Sequence, residues 1–267
     1  MAIVAILQLV SSLSVKNNLE ALRPYFIEAS EKMVVLIVLP ENFALMGDSK
    51  KDKLQAAEKY GDGQIQATVS ALAKEFGLWV IAGTIFIKSS GSRARAASLV
   101  FDAKGVCVGR YDKIHLFDVA LNDETVYQES LTIEPGSKIA VVDTPVGVIG
   151  LSVCYDVRFP ELYRQLQLKG AQIFSIPSAF TAVTGQAHWE ILLRARAIEN
   201  LCYVLAPNQG GFHDNGRQTH GHSMIIDPWG NITGLYQEGA GLVVAEIDLS
   251  KISQLRQQFP CNDHHVL

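Results

Sequence analysis

Residues 146–164 read VGVIGLSVCYDVRFPELYR. Val146 to Val153 is an uncharged run of strand-forming side chains, and it meets a segment, Pro160 to Lys169, that reads as a helix. Cys154 sits at that junction, where a strand hands a nucleophile to the start of a helix. Nearby amides and the helix start favour a thiolate there over the neutral thiol. Two other apolar runs also end in charge: VVLIVLP runs into Glu41, and the stretch reaching Arg110 runs into Tyr111, Asp112 and Lys113. A cysteine, a carboxylate and an ammonium, each at the end of its own buried strand, point to an amide-cleaving site.

Strand-like runs recur outward from this junction with helical patterns between them. Strands are predicted over 2–9, 33–39, 78–87, 173–176, 202–207, 223–226 and 242–247, and helices over 16–30, 52–76 (broken near Gly61–Gly63), 160–169 and 186–199. Runs 96–101 and 106–111, and likewise 138–143 and 146–153, are joined by turns too short for a parallel crossover. The expectation is an α/β fold with layered, mixed sheets in one domain, residues 1–267, because no linker divides the chain. The irregular stretches 43–51, 118–137 and 209–221 are long enough to be functional loops.

At 267 residues with 48% hydrophobic content, the chain can bury a large core. Its net charge of −4 and scattered basic residues leave no nucleic-acid footprint. Cys107, Cys154, Cys202 and Cys261 form no C-x-x-C, which favours free thiols in a reducing compartment. MAIVAILQLV (1–10) lacks a basic n-region and a small-x-small site and carries Gln8, so it reads as a first strand and not a signal. No stretch has the length to span a bilayer, and the expected location is cytoplasmic.

Each candidate has a plainer reading. Cys154 could be a structural core thiol, although Tyr155, Asp156 and Arg158 place it at a sheet edge. Glu41 could be a loop carboxylate; beside apolar walls, desolvation would disfavour its ionised form, as suits a general base. Lys113 could be a solvated turn lysine; beside an oxyanion it would supply a fixed charge. A cysteine–histidine pair is the main rival, with His115 or His188 as base. His213, His220 and His222 share a Gly-rich loop but lack metal-ligand spacing. GLSVC (150–154) approaches G-x-S-x-G without its last Gly, which weakens a Ser152 esterase reading. There is no P-loop and no dinucleotide fingerprint.

Taken together, LPENFALMG (39–47), GRYDKIHLFDV (109–119), GLSVCYDVRFPELYR (150–164), SAFTAVTGQAHWEILLRARAIEN (178–200) and GHSMIIDPWG (221–230) resemble the nitrilase superfamily of carbon–nitrogen hydrolases over nearly the whole chain. The resemblance implies a four-layer αββα sandwich with Glu41 as general base, Lys113 as the triad lysine, Cys154 as nucleophile and Glu129 orienting the lysine. It implies no cofactor and no metal, and a homodimer or larger assembly whose tail, 249–267, reaches across the interface.

The helix and the 221–230 strand look most like the Nit branch, which contains deaminated glutathione amidase and the ω-amidases. The expected partner is then a small-molecule amide bearing a carboxylate, with deaminated glutathione first. ω-Amides of α-keto acids and N-carbamoyl compounds are the alternatives, and a catalytically silent binding protein is the reading of a different class. Arg158, Phe180 and Thr184 resemble branch positions that hold the substrate's carboxylate and keto ends, and Tyr155 joins them beside the nucleophile. A guanidinium one helical turn past a nucleophile could pair bidentately with a carboxylate, or simply with Glu161 or Asp156.

Overall fold

The structure is a computed structural model that describes residues 1–121, 126–264 and 266. Its first half runs β1 (Ala2–Gln8), α1 (Val15–Glu20), α2 (Arg23–Glu31), β2 (Leu36–Val38), α3 (Lys50–Gln55), α4 (Gln64–Phe76), β3 (Trp79–Lys88), β4 (Ala94–Phe101) and β5 (Cys107–Asp112). A small hairpin, β6 (Asp118–Ala120) with β7 (Val126–Gln128), and a 3₁₀ turn at Glu129–Leu131 lead on. The second half runs β8 (Val141–Thr144), β9 (Gly147–Leu151), a 3₁₀ turn at Cys154–Arg158, α5 (Pro160–Leu168), β10 (Ile173–Ser175), α6 (Ala182–Asn200), β11 (Tyr203–Ala206), β12 (Ser223–Ile226) and β13 (Ile232–Tyr236). Then β14 (Gly241–Ile247) returns to pair with β1, and α7 (Leu249–Gln258) follows.

Two six-stranded sheets result, ordered β14-β1-β2-β3-β4-β5 and β13-β12-β11-β10-β9-β8. Each holds three parallel strands (β1, β2, β3 and β9, β10, β11) flanked by antiparallel ones. Helices supply the crossovers that parallel pairing requires, and tight turns make the hairpins. Side-chain alternation then builds two cores. Val4, Ile6, Leu36, Val38 and Ile81 pack toward Ile149, Leu151, Ile173 and Leu205 between the sheets. Their neighbours Ala5, Leu7, Ile37, Leu39 and Val80 point the other way, onto Leu22, Phe26, Val69 and Leu72 of the helices. On the far side α5 and α6 bury Leu162, Tyr163, Leu166, Trp189 and Leu193. The layering is therefore αββα, with mixed sheets as expected.

Four local readings change. The predicted helix 16–30 is two helices, because Pro24 lacks an N–H to continue the first and sits instead in the opening turn of α2. Helix α6 begins at Ala182, not Gln186, since the Thr181 side chain caps it by accepting from Thr184 N. Strand β13 went unforeseen; ITGLY is half exposed and weakly apolar. The C-terminal segment is not a free tail: α7 buries Ile252, and Arg256 Nη2 donates to Ala171 O (3.2 Å). Residues 265 and 267, part of the proposed interface tail, lie outside the described residues.

Candidate active site

Glu41 follows β2, Lys113 follows β5, and Cys154 follows β9, so three chain segments from two sheets converge. Strand β3 makes room for the first. Its pairing with β4 shifts register between Ala82 and Ile85, and Gly83 there has φ +23. A Cβ on Gly83 would collide with the Pro40 carbonyl, so this glycine lets the Glu41 segment lie against the sheet. The Thr84 hydroxyl then accepts from Asn42 N at 2.9 Å, and Gln209 Nε2 donates to Glu41 O at 3.0 Å. Lys113 is held by its own N–H to Ala96 O (2.9 Å) and by Gly136 N to its carbonyl (2.8 Å).

Cys154 adopts φ +49, a left-handed conformation that costs a non-glycine residue roughly 1–2 kcal/mol. Its own N–H is occupied by Pro177 O at 3.0 Å. The turn is held by Asp156, which is fully buried and accepts four hydrogen bonds. Tyr111 Oη (2.7 Å) and Val153 N (2.8 Å) reach Oδ2, while His115 N (3.1 Å) and Nδ1 (2.7 Å) reach Oδ1. One carboxylate thus ties the Lys113 segment to the Cys154 turn.

Lys113 Nζ lies 2.8 Å from Glu41 Oε1 and 2.9 Å from Glu129 Oε2, and Phe117 N donates to Glu129 Oε2 at 2.7 Å. Lys113 is 2% exposed, Glu41 5% and Cys154 8%, so the three share a nearly dry site. Burial disfavours the Lys113 ammonium, but Glu129 and Glu41 outweigh it and hold the pKa well above the ordinary lysine value. Burial likewise acts to raise Glu41, and here Lys113's charge and hydrogen bond, helped by Cys154, bring it below the usual carboxylate value. Burial and the Glu41 charge push the Cys154 thiol far up against the opposing pull of Lys113 and the Ala179 amide. The expected resting thiolate is therefore corrected: the fold presents a neutral thiol beside an ionised carboxylate. Such a site can deprotonate sulfur as it attacks and hold a developing oxyanion with a fixed ammonium.

These groups open onto a cavity of about 440 Å³, within the range for small-molecule sites. Phe117, Tyr127, Tyr155 and Phe180 supply aromatic walls, and Thr184 also lines it. Thr184 Oγ1 is engaged with Thr181 Oγ1 at 2.8 Å in the cap of α6. Arg158 is not among the lining residues. Its guanidinium lies over the Tyr155 and Phe180 rings, two of the cavity's walls, at 5.7 and 5.5 Å and meets His188 Nδ1 at 3.3 Å. The cavity cations that sequence reading missed are Lys53 and Arg217. Arg217 lies in the 209–221 loop already flagged by its length; Lys53 sits in a KKDK run with no distinguishing signal.

The rival chemistries are placed elsewhere. His115 stacks on Phe159 (3.6 Å between centroids) and faces Asp156, while His188 is exposed. Ser152 is fully buried, hydrogen-bonded to Tyr163 Oη (2.8 Å) and Ser175 O (2.9 Å). His213 bridges Ser11 O and Thr219 Oγ1, whereas His220 and His222 stack on each other. Among the described residues, no group of three or more His, Cys, Asp or Glu is placed to hold a metal ion. Among them also, no helix is long and apolar enough to cross a membrane.

The carbon–nitrogen hydrolase family model matches residues 3–257. The chain belongs to this family. A deaminated glutathione amidase of Yersinia enterocolitica is 41% identical over 265 residues, covering 98% of this chain and 92% of the relative. The crystal structure of the Caenorhabditis elegans NitFhit protein superposes with TM-score 0.93 at 39% identity, over 99% of this chain and 66% of that one. Saccharomyces cerevisiae Nit3, a member of branch 10 of the nitrilase superfamily, superposes with TM-score 0.87 at 31% identity, over 97% of this chain and 94% of its own. As a carbon–nitrogen hydrolase, the chain carries its buried Glu41–Lys113–Cys154 cluster at the place where both sheets end.

Proposed function

We propose that this carbon–nitrogen hydrolase is a cysteine-dependent amidase acting on a small carboxylate-bearing amide, with deaminated glutathione the leading substrate. The observation that carries the reading is Lys113 within 2.9 Å of both Glu41 and Glu129, beside a buried thiol at the cavity floor. The substrate choice draws on similarity to amidases named for deaminated glutathione. Glu41 takes the thiol proton as Cys154 Sγ bonds to the amide carbon. Lys113 and the Tyr155 amide hold the oxyanion, since the amide of Cys154 itself is engaged. Glu41 passes the proton to the leaving nitrogen as the C–N bond breaks. Water, deprotonated by the same carboxylate, cleaves the thioester and restores the thiol. Glu129 is the positioning residue for the lysine.

Product release from deaminated glutathione, followed for wild type and for Cys154→Ser, tests the proposal. Turnover by the wild type, lost in the variant, supports it. A wild type inert on deaminated glutathione and on ω-amides of α-keto acids overturns it, leaving the silent binding protein as the better account.

We also propose a homodimer and a cytoplasmic location. Val183, Ile191 and Ile198 lie exposed on one side of α6; Gly230 lies against Ile198, and its chain neighbour Trp229, packed on Phe259, is exposed. Such a patch supports self-association. The four free cysteines support a reducing compartment.

A further inference from the structure

An amide has two sides, and the aromatic wall of this cavity carries a guanidinium at each end. Arg217 lies over Tyr127 (5.5 Å), Tyr127 packs on Phe117 (5.0 Å), Phe117 on Tyr155 (5.2 Å), and Arg158 lies over Tyr155 (5.7 Å). The Arg158 end, with Phe180, is where the family resemblance puts the acyl carboxylate. At the Arg217 end the cavity also receives Lys53, from α3. Asn215 Nδ2 donates to Gly47 O (3.1 Å), which ties the loop carrying Arg217 to the segment leading into α3. Among the described residues, neither Lys53 nor Arg217 has a carboxylate within 4.0 Å, whereas Lys113 takes both Glu41 and Glu129. Arg217 Nη2 donates to Ala179 O (3.2 Å), yet its buried Nε has no partner among them. Cations withdrawn from water without counter-ions are costly, and an anionic ligand offsets that cost.

Glu41 decides which side of the scissile bond that anion belongs to. It hands its proton to the departing nitrogen, so the amine and its substituent lie on the Glu41 side of the carbonyl. Against burial, which acts to raise Glu41, Lys113 chiefly and Arg217 in addition hold it below the ordinary carboxylate value. Burial chiefly lowers the Lys53 pKa, with Glu129 and Glu41 pulling it back up and Arg217 pushing it further down. Both cations therefore act in the space around the base. Ala179 keeps this end in register with the nucleophile, since its amide faces the Cys154 thiol and its carbonyl accepts from Arg217. Ammonia as the leaving group would leave both cations unpaired. An amine with its own carboxylate, an amino acid or a short peptide joined through its N-terminus, would pair them. The Tyr127 ring steadies the guanidinium plane for a bidentate contact, and Lys53 adds a point charge.

We propose that Lys53 and Arg217 form a leaving-amine subsite, which binds a carboxylate on the nitrogen side of the scissile bond and favours amides of amino acids or short peptides over primary amides. Arg158 keeps the acyl side. The inference rests on the amidase reading and specifies its amine. Deaminated glutathione, whose departing amine is the dipeptide cysteinylglycine, has the required carboxylate; an ω-amide that releases ammonia lacks it.

Three substrates with one acyl group test it: deaminated glutathione, the same molecule with its glycine carboxylate capped as an amide, and α-ketoglutaramate, which releases ammonia. The readout is the ratio of kcat/KM for free over capped deaminated glutathione, in which any change common to both substrates cancels. Capping should cost the wild type about 30-fold or more, the scale expected when one partner of a desolvated charge pair is removed. Arg217→Gln should remove most of that preference and Lys53→Met a smaller part. Arg217→Lys should keep some of it, because an ammonium lacks the planar fork. Arg158→Gln should lower kcat/KM for all three substrates and leave the ratio as it was. If Arg158→Gln, and not Arg217→Gln, collapses the ratio, the subsite is wrongly placed. If the wild type cleaves free and capped forms equally well, this inference fails and the amidase reading stands. If it cleaves neither deaminated glutathione nor α-ketoglutaramate, both fall. A melting curve for each variant shows whether it folds.

Discussion

Cys154 is left-handed and its thiol neutral at rest, so its reactivity comes from Glu41 and not from a standing thiolate. Replacing it with alanine should abolish turnover, by about 10³-fold or more, while unfolding free energy changes by no more than ~1 kcal/mol. Denaturant titration beside an activity assay checks both halves, and mass spectrometry of iodoacetamide-inactivated enzyme should place the adduct on Cys154. The pH dependence follows from Glu41. Its pKa is held below the ordinary value of 4.5, so the carboxylate stays ionised as pH falls until that value is passed. The base form is thus present through pH 5–8 and lost only further down. A kcat/KM profile with an acid limb centred near pH 6 and moved by Glu41→Gln would count against this assignment.

Elements carry the site through two devices that are invisible in the one-dimensional pattern. The bulge at Gly83 in β3 exists because Pro40 passes where a side chain would stand. Gly83→Ala should destabilise the protein by about 2–3 kcal/mol through overpacking, and it should lower kcat more than KM because it displaces Glu41. Urea unfolding and steady-state kinetics read the two effects. Asp156 gathers donors from the Lys113 segment and the Cys154 turn. Asp156→Asn presents an NH₂ to donors that need an acceptor, so a loss of roughly 2–3 kcal/mol is expected. His115→Phe, removing only one of the four bonds, should cost clearly less; equal costs would show that the clamp is not shared. Strand and helix placement was largely legible, since β1, β2, β3, β9 and β10 are short apolar runs closed by charge or turn residues. The split at Pro24 and strand β13 were missed for opposite reasons: one helical period continued across a proline, and the other strand is half exposed with little pattern.

The whole molecule is two mixed sheets back to back, with catalytic candidates at the ends of strands in both. Neither sheet alone assembles the site, because Lys113 and Glu41 come from one and Cys154 from the other. The exposed apolar side of α6 leads to the expectation that light scattering at micromolar concentration reads well above the 29.2 kDa of a single chain. Ile191→Glu should shift the population toward that single-chain mass, and an unchanged mass would place the interface elsewhere. Glu41, Lys113 and Cys154 stood out as candidates because each lies just past an apolar run, a local property of sequence, while their roles came from the family resemblance. The layered fold was legible for the same reason. What only the tertiary structure decided is how distant groups act on one another. Arg158, one helical turn past Cys154, rests against the Tyr155 and Phe180 rings that line the cavity, and Arg217 and Lys53, 164 positions apart in the chain, line the same cavity. The charge states of Glu41 and Cys154 likewise turn on burial and on a lysine reached only through folding. Electrostatic energy depends on distance through space, and distance along the chain carries no trace of it.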